Sequence, residues 1–240
     1  MKDLKPYLEK YKNPRILDIG SGKGDFIKFI DFINQDYQEI IGIDIVDYLA
    51  EIDQFAFQNN PKIRWMDLDV LETNFPKNSF DIISLSNTLH HMTDIESVFK
   101  RMSELLKPDG ILLVVEVMSS NDLSNQQLSH QILHSFAAKI DHEIGKIHAQ
   151  IFTKTNILET INQFSSLAID KYWELNTKEF DKEIMLDDLY KVIDILLNKV
   201  KDSEKYELYK KEAMEIKEYL SKNGFSYSKT LCVVLKRTDL

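Results

Sequence analysis

One cysteine, five prolines and no apolar run longer than Ile111 to Val115 set the first limits on this 240-residue sequence. A lone cysteine excludes an internal disulfide, and the place of Cys232 within Leu231 to Leu235 predicts a buried strand residue in a reducing compartment. The apolar runs fall far short of the ~20 residues that span a bilayer. The segment Met1 to Pro14 is charged and has no apolar signal core, so a cytoplasmic protein with no membrane partner is expected. Basic charge is also scarce. Thirty Lys and Arg stand against 39 Asp and Glu, a net charge of −9, which excludes the broad basic face that nucleic acid requires. A small, neutral or cationic ligand is easier to accommodate. Linkers rich in Pro or Gly, internal repeats and low-complexity tracts are absent, so residues 1–240 are expected to form one domain with insertions.

Three of the seven glycines fall in one place. The apolar run Ile16-Leu17-Asp18-Ile19 ends in Gly20-Ser21-Gly22-Lys23-Gly24, and an amphipathic segment follows from Asp25. Such glycines allow left-handed backbone and close approach of a ligand to the main chain. A helix starting near Gly24 would aim free N–H groups and its positive end at that ligand. The third glycine comes one residue earlier than in G-x-G-x-x-G, and the spacing of a phosphate loop is missing, so the loop leans away from NAD and ATP.

Downstream, apolar residues at helical spacing (Phe26, Ile27, Ile30, Ile33) precede a buried strand, Ile40 to Asp44. A helix is predicted over Tyr48 to Gln58, strands over Lys62 to Met66 and Phe80 to Leu85, and a helix over Ile95 to Leu106. The breaker Lys107-Pro108-Asp109-Gly110 stops that helix before the strand Ile111 to Val117. This alternation predicts an α/β fold: a doubly wound, Rossmann-like, mostly parallel sheet with helices on both faces. Two further strands, Leu167 to Leu175 and Tyr227 to Lys236, make seven. Two helical insertions interrupt the rhythm. One covers about 119–152 with a long helix over Asn121 to His142. The other is a helical hairpin over about 178–222, broken and N-capped at Asp202-Ser203.

These motifs together resemble the class I S-adenosylmethionine-dependent methyltransferases, of the small-molecule type similar to the ubiquinone/menaquinone methyltransferases. The likeness runs through residues 14 to 118. It implies that Asp18, Gly20, Ser21, Gly22 and Gly24 form the glycine-rich cofactor motif. It also implies that Asp44, followed by Ile45, receives the ribose hydroxyls, and that Asp69 and the Val70 N–H meet the adenine. The run Phe75-Pro76-Lys77-Asn78-Ser79-Phe80-Asp81 is similar to the family's, with Asp81 structural. Ser86-Asn87 would border the methionine part, Ser86 offering its carbonyl to the ammonium. The activity so implied is methyl transfer from S-adenosyl-L-methionine to an O, N or C atom of a small-molecule acceptor, leaving S-adenosyl-L-homocysteine. A non-catalytic binding protein or regulator on the same fold is the alternative. An NAD-dependent oxidoreductase is disfavoured by the position of Gly24 and by the run from Asp69 to Asp81.

All six histidines lie between residues 90 and 148. His130, His134 and Asp141 share one helical face, beside the small residues Ala137 and Ala138. If the first insertion roofs the ligand pocket, His134 is the expected general base with Asp141 orienting it, and His91 and His148 are competitors. His90 is expected to be structural. A metal held by His130, His134 and Asp141 would suit helical ligand spacing, but no independent fourth ligand is identifiable, so no metal is expected. The hairpin, charged outside with an apolar inner stripe, leaves two uses open: a homodimer interface or a cover for the pocket. Tyr7 and Tyr11, on a short leading helix, are expected to pack against the sheet.

Overall fold

The computed structural model describes residues 4–46, 57, 60–175 and 186–238. Seven strands form one sheet: β1 (Arg15–Ile19), β2 (Glu39–Asp44), β3 (Ile63–Asp67), β4 (Phe80–Ser86), β5 (Leu106–Val117), β6 (Ala168–Leu175) and β7 (Thr230–Lys236). Their order is β3-β2-β1-β4-β5-β7-β6, with only the β7 pairings antiparallel. The seven helices of the described residues are α1 (Lys5–Glu9), α2 (Asp25–Ile33), α3 (Ile95–Leu105), α4 (Asn125–Glu143), α5 (Lys154–Phe164), α6 (Leu186–Asn198) and α7 (Tyr206–Asn223).

The near-continuous apolar strands β1, β2, β4, β5 and β7 are buried on both faces, as the middle of such a sheet requires, while the edge strands β3 and β6 are largely exposed. Alternation sends Leu17, Ile41, Ile83 and Leu112 to one side, where Phe99 and Met102 of α3 and Ile157 and Ile161 of α5 cover them. Ile16, Ile40, Ile82 and Leu113 point the other way, onto Leu8 of α1 and Ile27 and Ile30 of α2. Tyr7 and Tyr11 pack against this second cluster. Asp81 ties strand starts together by accepting from the Arg15 backbone N–H (2.8 Å) and from Lys107 Nζ (2.9 Å). The order of strands reverses between β1 and β4, which opens a crevice at their carboxyl ends.

Several boundaries differ from the sequence reading. The expected helix over Tyr48 to Gln58 lies outside the described residues, apart from the helical Phe57, and so does the start of the hairpin, residues 178–185. The breaker at Lys107 to Gly110 does not separate helix from strand. Leu106 already pairs with Phe80, and after an irregularity Ile111 pairs with Ile82. Helix α4 starts at Asn125 because Ser124 and Gln127 form a reciprocal capping box. Helix α7 is not capped by Asp202-Ser203: its N-cap is Lys205, and Ser203 Oγ donates instead to Glu143 (2.7 Å).

The two insertions form one cap. Leu133, Phe136 and Ile140 of α4 share a separate buried cluster with Leu189 and Ile193 of α6 and Ile216 and Leu220 of α7. The hairpin's apolar stripe is therefore covered by α4 of the same chain. A bridge between Ser119 and Thr153 pinches the first insertion at its base. No helix among the described residues is long and apolar enough to cross a membrane.

Candidate active site

The chain leaves β1 through a turn that only glycine fits. Gly20 has φ +66°, and a Cβ there would lie 2.2 Å from Thr88 Cγ2. Gly24, at φ +84°, is the N-cap residue of α2, and its N–H closes the turn onto Ser21 O (2.8 Å). Asp44, at the tip of β2, clamps this loop from the side: its Oδ2 accepts from the Gly22 N–H (2.9 Å) and its Oδ1 from the Val46 N–H (3.0 Å). Asp69 follows β3 and caps the short turn Val70–Glu72, accepting from the Leu71 N–H at 2.9 Å. Both carboxylates are thus held by backbone donors, which fixes their direction before any ligand arrives.

These residues border one crevice of about 720 Å³. Of the eleven positions expected to hold a cofactor, ten line it: Asp18, Gly20, Ser21, Gly22, Asp44, Ile45, Asp69, Val70, Ser86 and Asn87. Gly24 does not; it shapes the turn behind. Asn87 has a structural task as well. At φ +50° it leaves β4, and its Oδ1 accepts from the Val117 N–H (2.9 Å). Ser86 O accepts from Thr88 Oγ1 (2.9 Å), so Thr88, a residue the motif reading passed over, holds the carbonyl and also packs on Gly20.

Asp18 has the most perturbed environment in the crevice. It shares a strand face with Ile16, is 1% exposed, and accepts from Ser84 Oγ (2.6 Å), while its Oδ2 has no partner among the described residues. Burial pushes its carboxyl up to about 7; the Ser84 hydrogen bond opposes this and the charge of Asp44 adds to it. A buried carboxylate with an unused oxygen calls for a cationic neighbour.

The cap supplies the crevice's roof through Asp141, at the end of α4, and Gly145, Lys146 and Ile147 beyond it. Beneath the roof lies a histidine cluster. His91 lines the crevice, with its ring centroid 4.2 Å from that of His90 and 4.3 Å from that of His148. His90 is buried, and its Nδ1 meets the carboxylate of Glu116 in β5, whose second oxygen accepts from the Leu89 N–H (3.1 Å). His134 Nε2 is 3.2 Å from His90 Nε2 and 3.2 Å from His148 Nε2. Burial, reinforced by the neighbouring rings, takes His91 down to about 4 and His134 to about 3, and burial also lowers His148. All three are neutral at pH 7.

Two expectations about these groups are corrected. Asp141 does not orient His134: its Oδ2 accepts from His148 Nδ1 (2.8 Å), and its Oδ1 is 3.4 Å from Lys199 Nζ. The shared helical face allowed a contact, but the loop carrying His148 inserts between the two. His130 faces away from the cluster, and its Nδ1 accepts from the Ser228 N–H (2.9 Å). Glu116 was missed because it sits inside an apolar run; a lone acid in a buried strand is the signal that would have found it.

A glycine turn after the first strand, carboxylates at the tips of the next two and an antiparallel last strand define a Rossmann-like domain. The comparisons make this specific. Residues 17–114 match the methyltransferase-domain family profile. The ubiquinone/menaquinone biosynthesis C-methyltransferase UbiE of Vibrio campbellii is 30% identical over 105 residues, 42% of this chain and 40% of that protein. The uncharacterized methyltransferase YcgJ of Bacillus subtilis is 31% identical over 111 residues, 45% of this chain and 42% of that one. The chain thus spans about two fifths of these relatives' lengths. The YcgJ crystal structure superposes with TM-score 0.60 at 19% identity, covering 99% of both chains. A methyltransferase from Thiobacillus denitrificans in complex with S-adenosyl-L-homocysteine gives 0.59 at 15% identity, covering 99% of this chain and 90% of that one. Residues 17–114 thus resemble the methyltransferase domain, and the fold is shared with YcgJ and the Thiobacillus denitrificans methyltransferase.

Proposed function

We propose that this protein transfers a methyl group from S-adenosyl-L-methionine to a small-molecule acceptor held under the helical cap. The observation that carries this reading is the convergence of Asp18, Asp44, Asp69 and the Gly20–Gly22 backbone on one crevice.

The residues present suit the cofactor. Asp44 has one lone pair on each oxygen committed to a backbone N–H, leaving the others for two vicinal hydroxyls. Ile45, 73% exposed, and Leu71, 42% exposed, offer apolar surface at the rim for a flat purine. Asp18, with its unused Oδ2, and the fixed carbonyl of Ser86 suit an ammonium group. When bound, the cofactor supplies an electrophilic methyl on a sulfonium whose leaving group is a neutral thioether. The protein's share is then alignment and exclusion of water. The roof formed by Asp141 and Gly145 to Ile147 closes one side. His91 is the histidine that lines the crevice, and as a neutral imidazole it can accept the proton of an acceptor O–H or N–H. It is favoured over His134 and His148 as the proton acceptor, because those two do not line the crevice.

A cytoplasmic setting belongs to the same proposal, supported by the burial of the lone Cys232. The test is transfer of labelled methyl to a panel of phenols, amines and enolisable carbonyl compounds. Turnover of at least one acceptor, abolished in Gly20→Val, is expected. Tight cofactor binding with no transfer to any of the panel would move the reading to a non-catalytic binding protein.

A further inference from the structure

We propose that His90, His134 and His148 form a binding site for a divalent transition metal of the zinc class, joining the cap to the carboxyl end of the sheet. One ring nitrogen from each lies within 4.8 Å of the other two. His134 Nε2 is 3.2 Å from the Nε2 atoms of both His90 and His148. Three nitrogens each ~2.0–2.1 Å from a tetrahedral ion are separated by about 3.3 Å. Two of the three separations already match that spacing, and the third pair lies within 4.8 Å.

The outer contacts match as well. His90 Nδ1 meets Glu116 and His148 Nδ1 meets Asp141, so two rings are backed by carboxylates in the arrangement that fixes the ring and raises its basicity as a ligand. With the Nδ1 atoms of His90 and His148 turned to Glu116 and Asp141, their Nε2 atoms face His134 Nε2. One His134 proton cannot serve both, whereas a cation takes a lone pair from each ring. Glu116 is itself fixed: it is fully buried, and its second oxygen accepts from the Leu89 N–H (3.1 Å). Three protein ligands leave a fourth position for water or another small ligand, the pattern of an open site rather than a closed structural one.

The site was hidden from the sequence because its ligands come from three places: the turn after β4, the middle of α4 and the loop beyond α4. Only His134 belongs to the helical face that had suggested metal ligands. The inference stands independently of methyl transfer, and its test reads metal directly. Full-length protein stripped with a chelator is titrated with Co²⁺ and then Zn²⁺. One equivalent per chain is expected, with the intense visible absorption of tetrahedral Co²⁺, displaced by Zn²⁺, and a raised melting temperature in Zn²⁺. Glu116→Gln should weaken Zn²⁺ roughly 10–100-fold while the protein stays folded. His134→Ala should lose the stoichiometric site, and His142→Gln, outside the cluster, should keep it. Weak octahedral Co²⁺ absorption, or no absorption, in the unaltered protein would overturn the proposal. So would undiminished Zn²⁺ binding in folded His134→Ala.

Discussion

Replacing Asp18 with asparagine should make the ligand-free protein more stable at neutral pH. The carboxyl is buried, Ser84 satisfies one oxygen and nothing among the described residues satisfies the other. Its folded value of about 7 lies above the 3.8 of an unperturbed carboxyl. Between those limits the folded chain holds a proton that the unfolded chain has released, so stability falls as pH rises through the window and levels off above it. From 3.8 to about 7, at ~1.4 kcal/mol per pH unit, the loss approaches about 4 kcal/mol, an upper bound that relaxation around the carboxylate reduces. Even half of it, at ~2–4 °C per kcal/mol for a chain of this size, is about 4–8 °C. Asparagine keeps the shape and still accepts from Ser84, but carries no charge. Melting curves of both proteins from pH 4 to pH 8 provide the assay. The two should converge near pH 4 and separate progressively toward pH 8, with the variant higher. The same variant should bind cofactor less tightly, because the oxygen left unused for a cation is gone. Parallel melting profiles across the range, or a variant that melts lower at pH 8, would refute the claim that Asp18 is a strained buried acid.

Gly20→Ala places a Cβ 2.2 Å from Thr88 Cγ2 in left-handed backbone; strain and overpacking together should cost about 2–5 kcal/mol, and an unchanged melting temperature would contradict the turn geometry. Phe136→Ala empties a fully buried position in the cap cluster. The expected loss is about 3–5 kcal/mol, and in hydrogen exchange α4, α6 and α7 should lose protection together while β1, β4 and β5 keep theirs. Protection that falls in α4 alone would show that the hairpin does not share its core.

The succession of elements, the glycine turn and the carboxylates at strand tips were legible because each is written in a short stretch: an apolar run, then a turn residue, then an acid. Ten positions named from those stretches line one crevice. Side chains whose roles depend on distant partners were not legible. Helical spacing placed His134 and Asp141 on one face, yet the partner of each turned out to be His148, from a loop whose path no local pattern encodes. The carboxylate that meets His90, Glu116, lies 26 residues away in an apolar strand, so that pair was not legible either. The hairpin's inner stripe announced a buried face without saying against what. Only the fold shows that α4 covers it.

The central claim is that Asp44 and its neighbours grip the nucleoside of S-adenosylmethionine, and a calorimetric titration with S-adenosyl-L-homocysteine tests it most directly. Saturable one-to-one binding is expected for the unaltered chain. In folded Asp44→Ala it should weaken by roughly 100-fold or more, since two hydrogen bonds to a charged acceptor contribute ~1.5–3 kcal/mol each. No binding by the unaltered protein at millimolar ligand, or equal affinity in Asp44→Ala, would contradict the account.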